Sequence, residues 1–188
     1  MPVLTRRTTL TEHHFTLVLS PDISLESGSA IEALGEAGAI DTTVGRGADG
    51  VWTAVFDREA PSFEEALKSA ISDVRDGGLT VRRIEPDDLI TQAEIADRLG
   101  RTSESIRLLS TGQRGDRNFP QPVVRATNRG SLWRWSQVAS WANLPTDEVQ
   151  KAEWIAVVNA RLQFDLHDTP RERAMLREVD GIVGGRRQ

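Results

Sequence analysis

The segment TQAEIADRLGRTSESIRLLS, Thr91 to Ser110, gathers hydroxyl, carboxylate and guanidinium side chains around one glycine. Their chemistry is recognition, not bond-making. A guanidinium forks onto a phosphate or onto the O6 and N7 of guanine, and a carboxylate accepts from the amino group of cytosine. Hydroxyls and the free N–H groups at a helix start hold a phosphate, helped by the helix dipole. The spacing decides which residues are available. Thr91 and Glu94 have capping-box spacing, and Thr102 is placed to cap a second helix. Ile95, Ala96 and Leu99 form the buried stripe of the first helix, and Ile106 and Leu109 that of the second. Ser103, Glu104 and Arg107 are left facing outward. Gly100 takes the corner, where a left-handed backbone costs glycine little. An isolated helix under about twelve residues is marginal in water, so both helices must pack on something else.

Catalytic chemistry finds no comparable grouping. His13 and His14 are adjacent in an extended segment and point to opposite faces, and His167 sits near a helix end. Asp165 to Asp168, DLHD, reads as a polar helix terminus. GRGADG lacks the lysine and the following helix of a phosphate loop and reads as a hairpin turn. With no cysteine there is no thiolate nucleophile and no cysteine metal site. The chain is expected not to be an enzyme and to use no cofactor or metal.

With Gln92 as the first position, Ala96, Gly100 and Ile106 occupy the small, turn and core positions of the helix-turn-helix pattern, and the segment resembles that of lambdoid phage repressors. FPQPVVRATNRGSLWRWSQVASWAN follows. Pro120 and Pro122 end the helix, VVRA and LWRW are strand-like, and TNRG is a hairpin tip. Residues 89–144 as a whole resemble the winged helix-turn-helix proteins of the MerR, excisionase and AlpA group. That resemblance implies double-stranded DNA as partner, with the second helix in the major groove and the wing along the backbone or an adjacent groove. Carried over by position, Ser103, Glu104 and Arg107 read bases, Thr102, Ser103 and the N–H groups of the helix start hold a phosphate, Gln92 meets the backbone, and Arg101 belongs to the same DNA-binding set. Arg125, Asn128, Arg129 and Arg134 belong to the wing, with Arg134 pointing outward and Arg129 its foremost contact. Arg114 and Arg117 lie in the loop between. Trp133 and Trp135, alternating on one strand face, and Trp141 are core residues and not base-stacking platforms.

These residues need elements to position them. The 188 residues, 38% of them hydrophobic, contain no apolar run near the roughly 18 residues of a membrane span. MPVLTRRTTLTEHHF has no apolar core after its arginines, so a cytoplasmic, nucleoid-associated location is expected. The net charge of −5 divides unevenly: −8 over residues 1–90, +4 over 91–135 and −1 over 136–188. Every basic residue of the middle block is an arginine.

Before it, HFTLVL reads as a strand with Phe15, Leu17 and Leu19 on one face. A short helix follows, with Leu25, Ile31 and Leu34 apolar and Gly35 and Gly38 stopping it. AIDTTV and VWTAVFD form a hairpin, and a capping box at Ser62 and Glu65 opens a helix carrying Phe63, Leu67, Ala70, Ile71 and Val74. LTVRRI is the last strand, and EPDDL an acidic linker. The expected fold is α+β. A ferredoxin-like βαββαβ domain spans residues 1–88, the winged unit 89–144, and C-terminal helices 145–188. The whole order resembles a class of uncharacterised actinobacterial DNA-binding proteins.

One C-terminal helix, Thr146 to Phe164, carries Val149, Ile155, Val158 and Leu162. The next starts at Thr169-Pro170 with Leu176, Val179 and Val183. They pack on their own chain or form a homodimer interface, and a dimer doubles the phosphate contacts. The expected function is sequence-specific DNA binding as a transcriptional regulator. The alternatives are an excisionase-like architectural factor, or an antitoxin- or inhibitor-type module whose acidic N-terminal domain binds a protein or a small ligand.

Overall fold

The computed structural model describes residues 9–21, 28–126, 130–165 and 169–183. Its elements are β1 (Thr11–Leu19), α1 (Ser29–Glu36), β2 (Thr42–Arg46), β3 (Trp52–Ala60), α2 (Phe63–Asp76), β4 (Val81–Glu85), β5 (Leu89–Thr91), α3 (Gln92–Arg98), α4 (Ser103–Ser110), β6 (Val124–Ala126), β7 (Gly130–Arg134), α5 (Trp135–Trp141), α6 (Thr146–Asp165) and α7 (Pro170–Val183). The architecture is mixed α+β, with two antiparallel sheets in the orders β2-β3-β1-β4 and β5-β7-β6. Among the described residues no helix is long and apolar enough to cross a membrane.

Period-two patterning builds the first sheet. Phe15 lies opposite Phe56 and Leu17 opposite Ala54, and the two phenyl rings stack 5.5 Å apart. These residues, with Leu19, Val81 and Ile84, bury against Ala30 and Leu34 of α1 and against Phe63, Ala66, Leu67, Ala70 and Val74 of α2. Each fully buried large apolar side chain contributes about 1.5–3 kcal/mol. The apolar assignment in α1 shifts: Ile31 is exposed and Ala30 takes the inner position, Gly35 lies inside the helix, and Leu25 falls outside the described residues. At the start of α2 the Ser62 hydroxyl accepts from the Glu65 N–H.

A charged device that periodicity does not reveal ties β3 to its neighbours. Arg58, on the inner face and 8% exposed, forks onto both oxygens of Asp41 at 2.7 Å and reaches Asp73 and Ser69 on α2. The Arg58 guanidinium holds the Asp41 carboxyl below the usual carboxylate range, and Asp41 in turn raises Arg58.

A second core forms from Ile90, Ile95, Ala96, Ile106, Leu109, Phe119, Trp133, Trp135, Val138, Ala139 and Ala152. It contains an element that the sequence pattern missed, the three-residue strand β5, which pairs with β7 and sets Ile90 beside Trp133. Two expectations change. α4 ends at Ser110, where Thr111 and Gly112 (φ 69°) take the turn, well before Pro120 and Pro122. Trp135 begins α5, so it is buried from a helix start and not from the strand face that holds Trp133.

EPDDL is not a simple linker. Asp88, 2% exposed, accepts from the Ser136 N–H at 2.8 Å and from Arg134 at 3.2 Å, while its carbonyl accepts from the Trp135 N–H. Arg134 itself, at the N-cap of α5, makes no side-chain cap bond, so Asp88 caps this helix from a distant point of the chain. Helix α6 completes the junction by entering both cores, Ala152 in the second and Ile155 in the first. Asn159 on the same helix accepts from the Ile84 N–H at 2.7 Å and donates to the Ile84 carbonyl at 3.1 Å, and also to Asp87. Its amide thus pairs with the edge strand β4 as another strand would.

Replacing Asn159 by leucine orphans a buried N–H and a buried C=O, each costing about 1–3 kcal/mol. Asn159→Leu is expected to lower the unfolding free energy by about 2–4 kcal/mol in urea titration; a loss below about 0.5 kcal/mol contradicts this role.

Candidate nucleic-acid interface

The corner between α3 and α4 is built from local hydrogen bonds. The Thr91 hydroxyl accepts from the Glu94 N–H at 3.3 Å and the Glu94 carboxylate accepts from the Thr91 N–H at 2.7 Å, a complete capping box. Glu94 also accepts from the Thr91 hydroxyl. The Thr91 backbone N–H and then its hydroxyl hold the Glu94 carboxyl below the ordinary value of 4.5, against a smaller opposing effect of burial. Gly100 adopts φ +59°, and the Arg101 N–H returns to the Ala96 carbonyl at 2.8 Å. A methyl group at Gly100 has open space, so the glycine is there for its dihedral angle alone.

Thr102 caps α4 through the Ser105 N–H, and Ile106 and Leu109 anchor the helix in the second core. Arg101, Thr102, Ser103, Glu104 and Arg107 are all exposed. The Gln92 amide donates to the Ser103 carbonyl at 2.9 Å, tying the start of α3 to the start of α4.

Two of the expected base readers meet each other. The Arg107 guanidinium donates to both oxygens of Glu104, at 2.8 and 2.7 Å, so one turn of α4 carries a closed ion pair. The hydrogen bonds to Arg107 depress the Glu104 carboxyl, and the same contact raises Arg107. Both side chains remain largely exposed, at 62% and 44%.

The other predicted contacts separate into groups. Arg101 lies over the Trp141 ring at 5.6 Å. Arg114 and Arg117 are exposed in the loop after α4, where Arg117 takes φ 57°. That loop is fastened by the Trp133 indole N–H on the Pro120 carbonyl, by the Trp141 indole N–H on Asn118, and by Phe119 packed edge-on against both rings. Arg125 is exposed on β6 and donates to Gln121 at 3.3 Å. Asn128 and Arg129, the expected wing tip, lie outside the described residues. Arg134 donates to the buried Asp88 at 3.2 Å while its own side chain stays 40% exposed.

Asp88, Asn118 and Asn159 carry much of this positioning and were missed, since a single Asp or Asn has no periodic signal. Arg98, one of the arginines of residues 91–135, lies over the Trp135 ring at 4.9 Å. Among the described residues no group of His, Cys, Asp and Glu could hold a metal ion. No protein-family model, no curated protein and no solved structure matches the chain.

The capping box gives a stability prediction with a defined pH sign. Thr91→Ala is expected to cost about 1 kcal/mol in chemical denaturation. Because the folded-state value of Glu94 is depressed, its stabilisation is present above the unfolded value and lost as pH falls through the lower folded value. Glu94→Gln should flatten that part of the stability curve while keeping most of the cap; an unchanged acid limb rules the carboxylate out as its source.

Proposed function

We propose that residues 89–144 are a winged helix-turn-helix that binds double-stranded DNA sequence-specifically, and that the chain is a transcriptional regulator. The carrying observation is the exposed first turn of α4. It is capped by Thr102, tied to α3 by Gln92 and backed by a buried Ile106 and Leu109, and it presents Ser103, Glu104 and Arg107 to solvent. The sheet β5-β7-β6 supports the reading by putting a hairpin beside this pair of helices. For residues 1–88, the antiparallel order β2-β3-β1-β4 with α1 and α2 in one core supports a ferredoxin-like sandwich.

In this reading the Glu104–Arg107 pair acts as a latch. In free protein Arg107 is neutralised by its neighbour, so it adds little to the attraction for phosphates in general. At a matching site Glu104 turns to a cytosine amino group and Arg107 to a guanine, each contact worth about 1–3 kcal/mol of discrimination. Backbone attraction falls to Arg101, Arg114, Arg117 and Arg125, none of which has a carboxylate partner among the described residues. Pairing of two copies falls to the C-terminal helices, which expose Val157 and Phe164 on α6 and Met175 and Val179 on α7. The acidic residues 1–90 make a poor DNA surface, and the location that fits is the cytoplasm, with the nucleoid.

The test is selection from random duplexes at two salt concentrations, followed by anisotropy titration of variants on the recovered site. A defined sequence that survives the higher salt is expected. Arg107→Ala should reduce discrimination at one base pair by about 5- to 150-fold, and Glu104→Ala should raise affinity for unrelated DNA. Retention without sequence preference, or equal weakening of every sequence by Arg107→Ala, overturns the reading.

A further inference from the structure

The loop after α4 borders an open cleft of about 640 Å³ whose one charged lining residue is Arg117; no carboxylate lines it. Its polar groups divide by what their hydrogens already do. The hydroxyls of Ser110 and Thr111 donate to the Arg107 carbonyl and so close the end of α4. The Gln121 side-chain oxygen accepts from Arg125 at 3.3 Å, which leaves the amide N–H groups of Gln121 as donors. The Gln113 amide and the Arg117 guanidinium have no hydrogen-bond partner among the described residues. What the cleft has left to offer is therefore a set of donors, one of them charged, and donors of that kind suit a phosphate oxygen.

Arg117 is also fastened in place. Of the two described non-glycine residues with positive φ, Asn143 is of a type that tolerates the left-handed region, whereas Arg117, at φ 57°, is not. Its side-chain stem lies across Gly112: a methyl group on that glycine would stand 3.3 Å from the Arg117 Cγ and 3.8 Å from its Nε. The next residue, Asn118, accepts from the Trp141 indole N–H at 2.9 Å, and Phe119 packs edge-on against the same ring at 4.8 Å. Asp116, the preceding residue, makes no ion pair with Arg117 among the described residues. Arg101, just before α4, lies over the Trp141 ring at 5.6 Å, so one indole ties down both segments that flank the helix. A strained residue kept in place by such fastenings points to a use for the side chain it aims.

We infer that Arg117 is a built contact for a phosphodiester of the DNA strand beside the groove that receives α4, with Gln113 and Gln121 as neighbouring donors, and that Trp141 is its positioning residue, acting through Asn118. The inference rests on the DNA-binding reading and deepens it. Arg107 distinguishes sequences, whereas Arg117 fixes the register of α4 on the backbone and carries no sequence information. An arginine already aimed loses less freedom on binding than a loose one, so the contact forms without first ordering the loop.

Anisotropy titration of the full chain on a selected duplex and on unrelated duplexes, over a range of salt, tests it. Arg117→Ala is expected to weaken every duplex by a similar factor, about 3- to 10-fold, and to reduce the slope of log K against log salt by about one, with sequence preference intact. Asn118→Ala, and Trp141→Phe, which keeps an aromatic ring, should each weaken binding in the same way, and neither should weaken it further in an Arg117→Ala background. Both should also speed tryptic cleavage after Arg117 in the DNA-free protein at a Tm near that of the parent, a readout that does not involve DNA. A parent that binds no duplex overturns the proposed function and this inference together; a parent that binds while Arg117→Ala changes neither affinity nor salt slope overturns the inference alone. Cleavage and binding both unchanged in Asn118→Ala and Trp141→Phe overturn the positioning role. A free phosphate ion offers the same oxygens: a rise in Tm in sodium phosphate over sodium chloride at equal ionic strength, lost in Arg117→Ala with duplex binding untouched, assigns the cleft to that ion and overturns the assignment to DNA.

Discussion

The carboxylate of Asp88 is the interaction on which the other parts depend. It is buried at the point where β4 hands over to the second sheet, and a buried carboxylate is tolerable only when hydrogen bonds and an opposite charge surround it. The Ser136 N–H, at the start of α5, and the Arg134 guanidinium supply them. In satisfying itself Asp88 fixes where β5 begins, where β7 ends and how α5 leaves the sheet. Asn159 performs the matching task from the other side, pairing with the edge of β4 and with Asp87. The orientation of α6 relative to both cores follows from these two polar side chains as much as from Ala152 and Ile155.

That framework is what allows α3 and α4 to be so short. Neither helix has enough internal hydrogen bonds to persist alone, and the capping box, the Gly100 turn and the Gln92 tie remove most of their freedom before packing begins. The exposed turn of α4 is therefore presented on a rigid support. Under the proposed function, such a support costs little entropy on binding, which favours discrimination over loose electrostatic attraction. The Glu104–Arg107 pair acts in the same direction. It removes one positive charge from the general field of the corner while leaving both groups within reach of a specific partner.

Much of the corner was legible in the residues. Thr91 with Glu94, Thr102, Gly100, the β2–β3 turn and the burial of Ile95, Ile106 and Trp133 all depend on neighbours a few positions away, and short-range hydrogen bonding and periodicity encode them. What was not legible has a common origin. Arg134, the EPDDL segment and Gln92 each have a partner within the chain that alternation, composition or motif position does not reveal.

By itself, then, the sequence determined most of the local devices: the strands of the first sheet, the helices of the corner, where the caps and the left-handed turn fall, and where arginine replaces acidic residues, but not the short strand β5, the end of α4 or the helix that Trp135 begins. Only the tertiary structure decided which polar groups meet across the chain, Asp88 with Ser136 at a separation of 48 residues and Asn159 with Ile84 at 75. The reason is physical. Local hydrogen bonds are selected by steric geometry within one or two turns, whereas a long-range polar contact is selected by the desolvation it must offset, and that exists only once the cores have closed around it.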